Sequence, residues 1–221
     1  LLAKLLNRRV IAYNGGDWSQ MKTLGNKNDL IYQIKVKFYN LLEYLTVKLS
    51  DAYLVNNNQL YNKYSHYGKL FKTVPLIRFK KDDKIFRDLI TNKKIIKLLS
   101  VNHIKPGKKI IELLRGFKEL SIDNKYHTYS LTIVGKYDLK EDYSKIVSAF
   151  IEENNIENVH FEGIINNKQE LINYYRNSDI MLLITESEGF PRVIWEAFAH
   201  KLPVICSSLP NITLEFNKDV S

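Results

Sequence analysis

Apolar residues follow two different patterns along the chain. Short apolar runs, typical of buried strands, alternate with longer segments in which apolar residues recur every three or four positions, as in amphipathic helices. The predicted strands are 9–13, 52–55, 70–76, 94–101, 129–135, 159–162, 180–184 and 203–206. The predicted helices are 30–50, one ending near His66, 108–120, 141–154, 168–177 and one starting near Pro191. This alternation predicts parallel sheets with right-handed crossovers, so the predicted fold class is α/β.

The most informative stretch is 179–206, which combines a strand, a loop, a helix and a second strand. The apolar run 180–184 predicts a buried strand, and a polar turn follows at 185–189. Pro191 falls near the first turn of the predicted helix, where the missing N–H of proline is tolerated. The next buried strand begins at Pro203. This order is one half of a doubly wound α/β unit.

Two glutamates in this stretch suggest a ligand site. Glu188 comes just before the predicted helix, and Glu196 lies a little over two turns further on, near the same helical face. The start of a helix offers free N–H groups and the positive end of a dipole, which suits a phosphate. Gly189 lets the backbone approach a ligand closely. These features predict a site for a nucleotide sugar; the alternative is a surface helix with two solvated glutamates.

The residues around these glutamates resemble a family signature. The segments 188–191 (Glu-Gly-Phe-Pro), 196–199 (Glu-Ala-Phe-Ala) and 202–205 (Leu-Pro-Val-Ile) are similar to the corresponding motif of the family 4 glycosyltransferases. A pair of glutamates at this spacing is weak alone, but within this frame, between two predicted strands, it is specific. The resemblance is strongest over 95–207 and faint before residue 50.

The resemblance implies a fold and a reaction. The fold is GT-B-like, with two doubly wound, Rossmann-like parallel-sheet domains, of which the first is only partly present. The reaction is transfer of a sugar from a nucleotide-diphosphate donor to an acceptor hydroxyl, with retention of configuration. Glu196 would hold the ribose hydroxyls, and Glu188, the candidate catalytic residue, the hydroxyls of the donor sugar. The other implied donor-binding residues are His103, Lys108, Gly135, Ile164, Gly189, Phe190, Pro191, Arg192 and Val193.

The loop after the strand 94–101 departs from the family pattern. Relatives usually have Gly-Arg where Asn102-His103 falls and a lysine where Lys108 falls. Histidine lacks the bidentate fork of arginine and is largely uncharged near neutral pH. Lys105 and Lys109 are candidates to compensate, and the alternative for Lys108 is a solvated lysine at a helix start.

The glycines that end two strands have two interpretations. Gly135 falls at the Val-Gly turn of the family, and Ile164, after Gly163, aligns with backbone that meets the nucleobase in relatives. Tight-turn geometry alone is the alternative for both glycines. No cofactor or metal is expected, because the helix dipole and Lys108 supply the positive charge for the diphosphate.

Other features limit the classes of function. A single cysteine, Cys206, excludes an internal disulfide and fits a reducing compartment, so we predict a cytoplasmic location. No apolar run reaches bilayer-spanning length. The chain also lacks the glycine-rich fingerprint of a classical NAD site and lacks a P-loop.

Positive charge is concentrated in the first part of the chain. Residues 1–100 hold 19 Lys and Arg against 7 Asp and Glu, whereas 101–221 hold 14 against 17. This excess suits contact with anionic lipid, which would place the protein peripherally at the inner membrane face. The alternative is a lysine-rich surface that is simply solvated. Nucleic acid is not favoured, because no recognised binding motif accompanies the charge.

The predicted helix 30–50 has an apolar stripe with lysines away from it. The stripe consists of Ile31, Ile34, Phe38, Leu41, Leu42, Leu45 and Leu49. Packing of this stripe in the core is the expected arrangement, and contact with a membrane interface is the alternative.

We predict a first domain over 1–76, a linker over 77–92 and a donor-binding domain over 93–221. The chain begins without methionine and stops soon after the fifth strand of the second domain, so a fragment truncated at both ends, itself inactive, is expected. The expected acceptor is a lipid-linked sugar or a polysaccharide. The alternatives are an inactive nucleotide-binding relative, a GT-B epimerase, and a basic membrane-binding module.

Overall fold

The computed structural model describes residues 4, 6–15, 30–73, 93–122, 127–210 and 212–213. The chain forms two compact units. The first comprises Leu1–Leu76, Ser187–Pro191 and Ser208–Ser221, and the second Ile77–Glu186 and Arg192–Ser207. The predicted linker 77–92 and the end of the predicted strand 70–76 lie outside the described residues. The domain boundaries drawn from the sequence therefore remain a prediction.

Strands and helices alternate through both units. The strands in the described part of the chain are β1 Ile11–Asn14, β2 Ala52–Val55, β3 Leu70–Lys72, β4 Ile95–Val101, β5 Thr128–Val134, β6 Val159–Gly163, β7 Ile180–Leu183 and β8 Val204–Cys206. The α-helices there are α1 Leu30–Leu49, α2 Asn58–Tyr64, α3 Ile110–Ile122, α4 Asp142–Glu153, α5 Lys168–Asn177 and α6 Arg192–Ala199. A 3-10 turn, Pro106–Lys108, precedes α3.

The first unit is built on a three-stranded parallel sheet in the order β1-β2-β3. The apolar residues at its centre come from α1, α2 and β2, and they are Val47, Tyr53, Val55, Leu60 and Tyr64. Helix α2 begins where the Oδ1 of Asn57 accepts a hydrogen bond from the N–H of Leu60 at 2.8 Å. Such a cap satisfies one of the N–H groups left free at a helix start.

The orientation of α1 differs from the prediction. Four apolar residues of its stripe are more than half exposed, namely Ile31, Ile34, Phe38 and Leu41. The buried residues of α1 are Glu43 and Val47, which lie on nearly the opposite side of a helix with about 3.6 residues per turn. The core-packing prediction for the apolar stripe is therefore wrong over most of its length. Hydrogen bonds to the Glu43 carboxylate from Asn14 and Lys63 hold the other face of the helix inward.

The second unit contains a five-stranded parallel sheet in the order β6-β5-β4-β7-β8. The predicted α/β class with parallel sheets is thus confirmed. The chain leaves β4 toward β5 and β6 on one side, then crosses to β7 and β8 on the other. Adjacent strands β4 and β7 therefore form a topological switch point, and in such sheets ligands bind beyond the carboxyl ends of the strands at this point.

One helix boundary near the site differs from the prediction, and another agrees with it. Helix α3 begins at Ile110, not at Lys108, because Lys109 has a left-handed backbone with φ of 48° that separates the 3-10 turn from the α-helix. Helix α6 begins at Arg192, so Pro191 precedes its first turn. None of the described helices combines the length and the apolar character needed to cross a membrane.

Candidate active site

The loops after β4 and β7 in the second unit are joined to each other at the switch point. The carbonyl oxygen of Gly107 accepts hydrogen bonds from the N–H of Glu186 at 2.9 Å and from the Oγ1 of Thr185 at 3.2 Å. Thr185 is buried, and its own N–H donates to the Oγ of Ser207 at 3.0 Å. These bonds hold the 3-10 turn that carries Lys108 against the carboxyl end of β7.

The two neighbouring lysines of this loop are in different environments. The Nζ of Lys109 lies 2.6 Å from a carboxylate oxygen of Glu186 and 3.0 Å from one of Glu112. Hydrogen bonds to Glu186, and next to Glu112, raise the pKa of Lys109. Two carboxylates thus already offset its charge, so Lys109 is poorly suited to compensate for a missing arginine. Lys108 is half-buried at the end of the 3-10 turn.

His103 is exposed and its ring is held by the backbone of the next loop. Its Nδ1 accepts a hydrogen bond from the N–H of Lys136 at 3.0 Å. This bond uses one of the two ring nitrogens within the protein. His103 thus lies where the resembling family usually has an arginine, and it lacks the bidentate fork of that residue.

Gly135 has a clear structural reason to be glycine. Its φ is 152°, and a Cβ at this position would lie 2.0 Å from the carbonyl oxygen of Asn102. Its N–H donates to the carbonyl of Gly163 at 2.8 Å, and the N–H of Asn102 donates to Val134 at 2.8 Å. Gly135 thus brings the loops after β4, β5 and β6 close together. Ile164, immediately after β6, is exposed.

The predicted residues Glu188, Gly189, Phe190 and Pro191 belong to the first unit. Within that unit, the Nδ2 of Asn57 donates to the carbonyl of Gly189 at 2.9 Å. Asn57 is buried and also caps α2, so the two ends of its amide fix two segments at once. This contact across the sequence could not be read from the motif.

Helix α6 carries Arg192, Val193 and Glu196 in the second unit. Pro191 is among the predicted donor-binding residues, but proline has no N–H and cannot offer a backbone donor to a ligand. Phe190, Arg192 and Val193 each have a backbone N–H. The side chain of Arg192 is exposed and that of Val193 is partly buried.

Glu196 is buried at 6% exposure, and its carboxylate has a hydrogen-bonding partner that sequence reasoning missed. The hydroxyl of Tyr175, on α5, donates to its Oε2 at 2.9 Å. The Nδ1 of His200 donates to the backbone carbonyl of Glu196 at 2.7 Å, and the rings of Tyr175 and His200 stack at 5.5 Å. Tyr175 lies one helical turn after Leu171, and this spacing indicates that its side chain faces inward. The spacing does not show that Glu196 is its partner.

Among the described residues there is no group of three or more His, Cys, Asp and Glu side chains placed to hold a metal ion. Cys206, the single cysteine of the sequence, is partly buried at the end of β8. Burial raises the pKa of its thiol, which disfavours the reactive thiolate.

The family of the chain follows from comparison with known proteins. The family described as glycosyl transferases group 1 matches residues 81–220, well over half of the chain. The chain therefore belongs to the glycosyl transferases group 1 family. It is 30% identical over 108 residues to an uncharacterized glycosyltransferase of Haemophilus influenzae, a match that covers 49% of this chain and 28% of that protein.

Solved glycosyltransferase structures share the fold. HepE of Anabaena, crystallised with UDP and glucose, is similar with a TM-score of 0.69 and 14% identity, over 96% of this chain and 56% of that one. WaaG, a glycosyltransferase involved in lipopolysaccharide biosynthesis, is similar with a TM-score of 0.63 and 17% identity, over 95% of this chain and 62% of that one. The chain thus has the α/β fold of GT-B glycosyltransferases and spans little more than half of these two structures.

Proposed function

We propose that this chain carries the donor-binding part of a retaining, family 4 glycosyltransferase that transfers a sugar from a nucleotide-diphosphate donor to an acceptor hydroxyl. The observation that carries the proposal is the environment of the Glu196 carboxylate. Its carboxylate is buried in the helix that follows the switch-point strand β7, and within the described residues its side chain has one hydrogen-bond donor and no cationic partner. A carboxylate in this state has acceptor capacity left for ligand hydroxyls.

The remaining roles follow from chemistry. Glu196 accepts hydrogen bonds from the ribose, and Glu188, as the catalytic residue, orients the hydroxyls of the donor sugar. The side chain of Lys108 and the N–H groups of Phe190, Arg192 and Val193 stabilise the leaving diphosphate. Catalysis then consists of positioning and charge stabilisation, without a metal ion or other cofactor.

The loops after β4, β5 and β6 have lesser roles in this proposal. Gly135 lets these loops pack closely, and the backbone of Ile164 borders the nucleobase. His103 offers a hydrogen bond to the diphosphate in place of an ionic contact, so phosphate affinity depends chiefly on Lys108. The acceptor is a lipid-linked sugar or a polysaccharide, a proposal that the likeness to WaaG supports.

Calorimetry with UDP, GDP and ADP tests the donor site. The Glu196→Ala variant should bind the preferred nucleotide about 1–3 kcal/mol more weakly, or about 5- to 150-fold in Kd, because the ribose hydroxyls lose a charged acceptor. Glu153→Ala, which removes an exposed carboxylate from α4, is the matched control and should bind normally. Unchanged affinity in Glu196→Ala, or no binding of any nucleotide by the parent chain, would contradict the proposal.

Contact with an anionic membrane is a second candidate function, and the exposed stripe of α1 favours it. Ile34, Phe38 and Leu41 are exposed, and the exposed lysines Lys35 and Lys37 flank them on either side of the helix. An apolar stripe bordered by lysines is typical of helices that lie in the interface of anionic bilayers. Such contact would place the protein peripherally, at the cytoplasmic face of the membrane.

Vesicle sedimentation tests this second candidate. The chain should bind vesicles of phosphatidylglycerol more strongly than vesicles of phosphatidylcholine, and Phe38→Ser should weaken that binding. Ile122→Ser, at an apolar position of α3 that is also more than half exposed, is the control and should bind like the parent chain. Equal binding to both lipids, or an equal loss in both variants, would count against membrane contact through α1.

A further inference from the structure

We infer that Tyr175 is a positioning residue that holds the Glu196 carboxylate so that its second oxygen, Oε1, receives a hydroxyl of the nucleotide ribose. The inference rests on the proposed function, since it concerns the same donor site. It adds a residue that lies outside the signature segments 188–205 and that belongs to a different helix, α5.

The first argument is the geometry of the contact. The Tyr175 side chain is fully buried, and its hydroxyl donates to Oε2 of Glu196 at 2.9 Å. No second side-chain donor to this carboxylate occurs among the described residues, nor any ion pair. One oxygen is therefore assigned to the protein and the other keeps its lone pairs for a ligand.

The second argument is that the tyrosine is itself fixed. Its ring stacks on the ring of His200 with an interplanar angle of 8° and a centroid separation of 5.5 Å. His200, also buried, donates from Nδ1 to the backbone carbonyl of Glu196 at 2.7 Å. Each of the three residues thus contacts the other two, and these contacts join α5 to α6 and to the residue that follows it.

The third argument concerns the choice of donor. A tyrosine hydroxyl is neutral, so it orients the carboxylate without cancelling the negative charge, whereas an arginine or lysine would occupy and neutralise it. Desolvation, followed by the charge of Glu196, raises the pKa of Tyr175 far above its ordinary value, so the hydroxyl keeps its proton throughout the physiological range. Tyr175 therefore remains a hydrogen-bond donor to the Oε2 of Glu196.

A purely structural role of Tyr175 would have different consequences from a positioning role. If Tyr175 only fills the core, removing its hydroxyl changes the stability of the fold and affects all nucleotides alike. If it orients Glu196 toward the ribose, the loss is confined to ligands that carry ribose hydroxyls. The ligand's own hydroxyls therefore distinguish the two roles.

The experiment measures Kd by calorimetry for the preferred member of UDP, GDP and ADP and for its 2′,3′-dideoxy analogue. Tyr175→Phe should weaken binding of the ribonucleotide roughly tenfold and leave the dideoxy analogue unchanged, because one charge-assisted hydrogen bond loses its orientation. Tyr174→Phe, the same change at the preceding position of α5, is the matched control and should leave both values unchanged.

The outcomes separate the two claims. If the parent chain binds none of the nucleotides, the proposed function fails, and this inference fails with it. If the parent binds but Tyr175→Phe weakens both ligands equally or neither, the donor site stands and the positioning role is wrong. Should Tyr175→Phe not fold, His200→Phe keeps an aromatic ring for the stack and removes the bond to Glu196. That variant should show the same selective loss to a smaller degree, and a loss common to both ligands overturns the inference.

Discussion

Glu43 of the first unit and Glu196 of the second are both buried carboxylates on helices beside a parallel sheet, at 0% and 6% exposure. Their surroundings differ. Oε1 of Glu43 accepts from the Nδ2 of Asn14 at 2.7 Å, and its Oε2 pairs with the Nζ of Lys63 at 2.8 Å. Glu196 has the hydroxyl of Tyr175 on one oxygen and, among the described residues, no cation.

The difference shows what each carboxylate is suited to do. Both oxygens of Glu43 are used within the protein, and the same Asn14 amide also reaches the hydroxyl of Tyr53 at 2.9 Å, so the group ties α1 to the sheet. A buried charge without a cation is costly for folding, and such groups concentrate at functional sites. Glu43 should therefore matter for stability and Glu196 for binding.

The largest expected effect is that of Glu43→Ala. It should reduce the local stability of the first unit by about 3 kcal/mol, because Asn14 and Lys63 lose their acceptor and a buried cavity forms. Faster hydrogen–deuterium exchange in peptides covering β1 and β2 would report the loss. Exchange in β4 and β5, and nucleotide affinity, should not change. Unaltered exchange in β1 would show that the contacts of Glu43 are not needed to hold this sheet.

Glu196→Gln should have the opposite profile. Its free energy of unfolding should change by less than about 1 kcal/mol, because the amide oxygen still accepts from Tyr175 and the removed charge had no cationic partner among the described residues. Urea unfolding followed by tryptophan fluorescence measures this change. A loss as large as that of Glu43→Ala would mean that Glu196 is primarily a structural residue, which would erase the contrast between the two units.

Local patterns were sufficient to predict most of the second unit. Apolar runs located its strands to within a few residues, and the helix predicted over 168–177 has those bounds in the structure. The 3-10 turn before α3 was missed because the left-handed residue that ends it is Lys109, and lysine rarely signals such a conformation. The sequence also predicts β1, β2 and β3, because each of these strands coincides with a short apolar run.

Pairings across the chain explain what the sequence could not show. The stripe of α1 was assigned to the core because it is the most apolar face, whereas Glu43 faces inward through partners 29 and 20 positions away. Likewise, Glu196 was identified from its motif, but Tyr175 lies 21 positions before it on another helix. The ligand roles of Glu188, Glu196 and Lys108 remain predictions, which the nucleotide experiments address.

The smallest expected effect extends the comparison to an accessible carboxylate of the first unit, Asp51. Hydrogen bonds from the Nζ of Lys4, and next from the N–H of Val10, lower its pKa in the folded state. Its stabilising contribution is therefore present above the unfolded pKa of about 3.9 and is lost as pH falls through the lower, folded value. Asp51→Asn should flatten the acid dependence of exchange in β1 slightly. An unchanged acid dependence would show that these bonds add nothing measurable, as is common for exposed pairs.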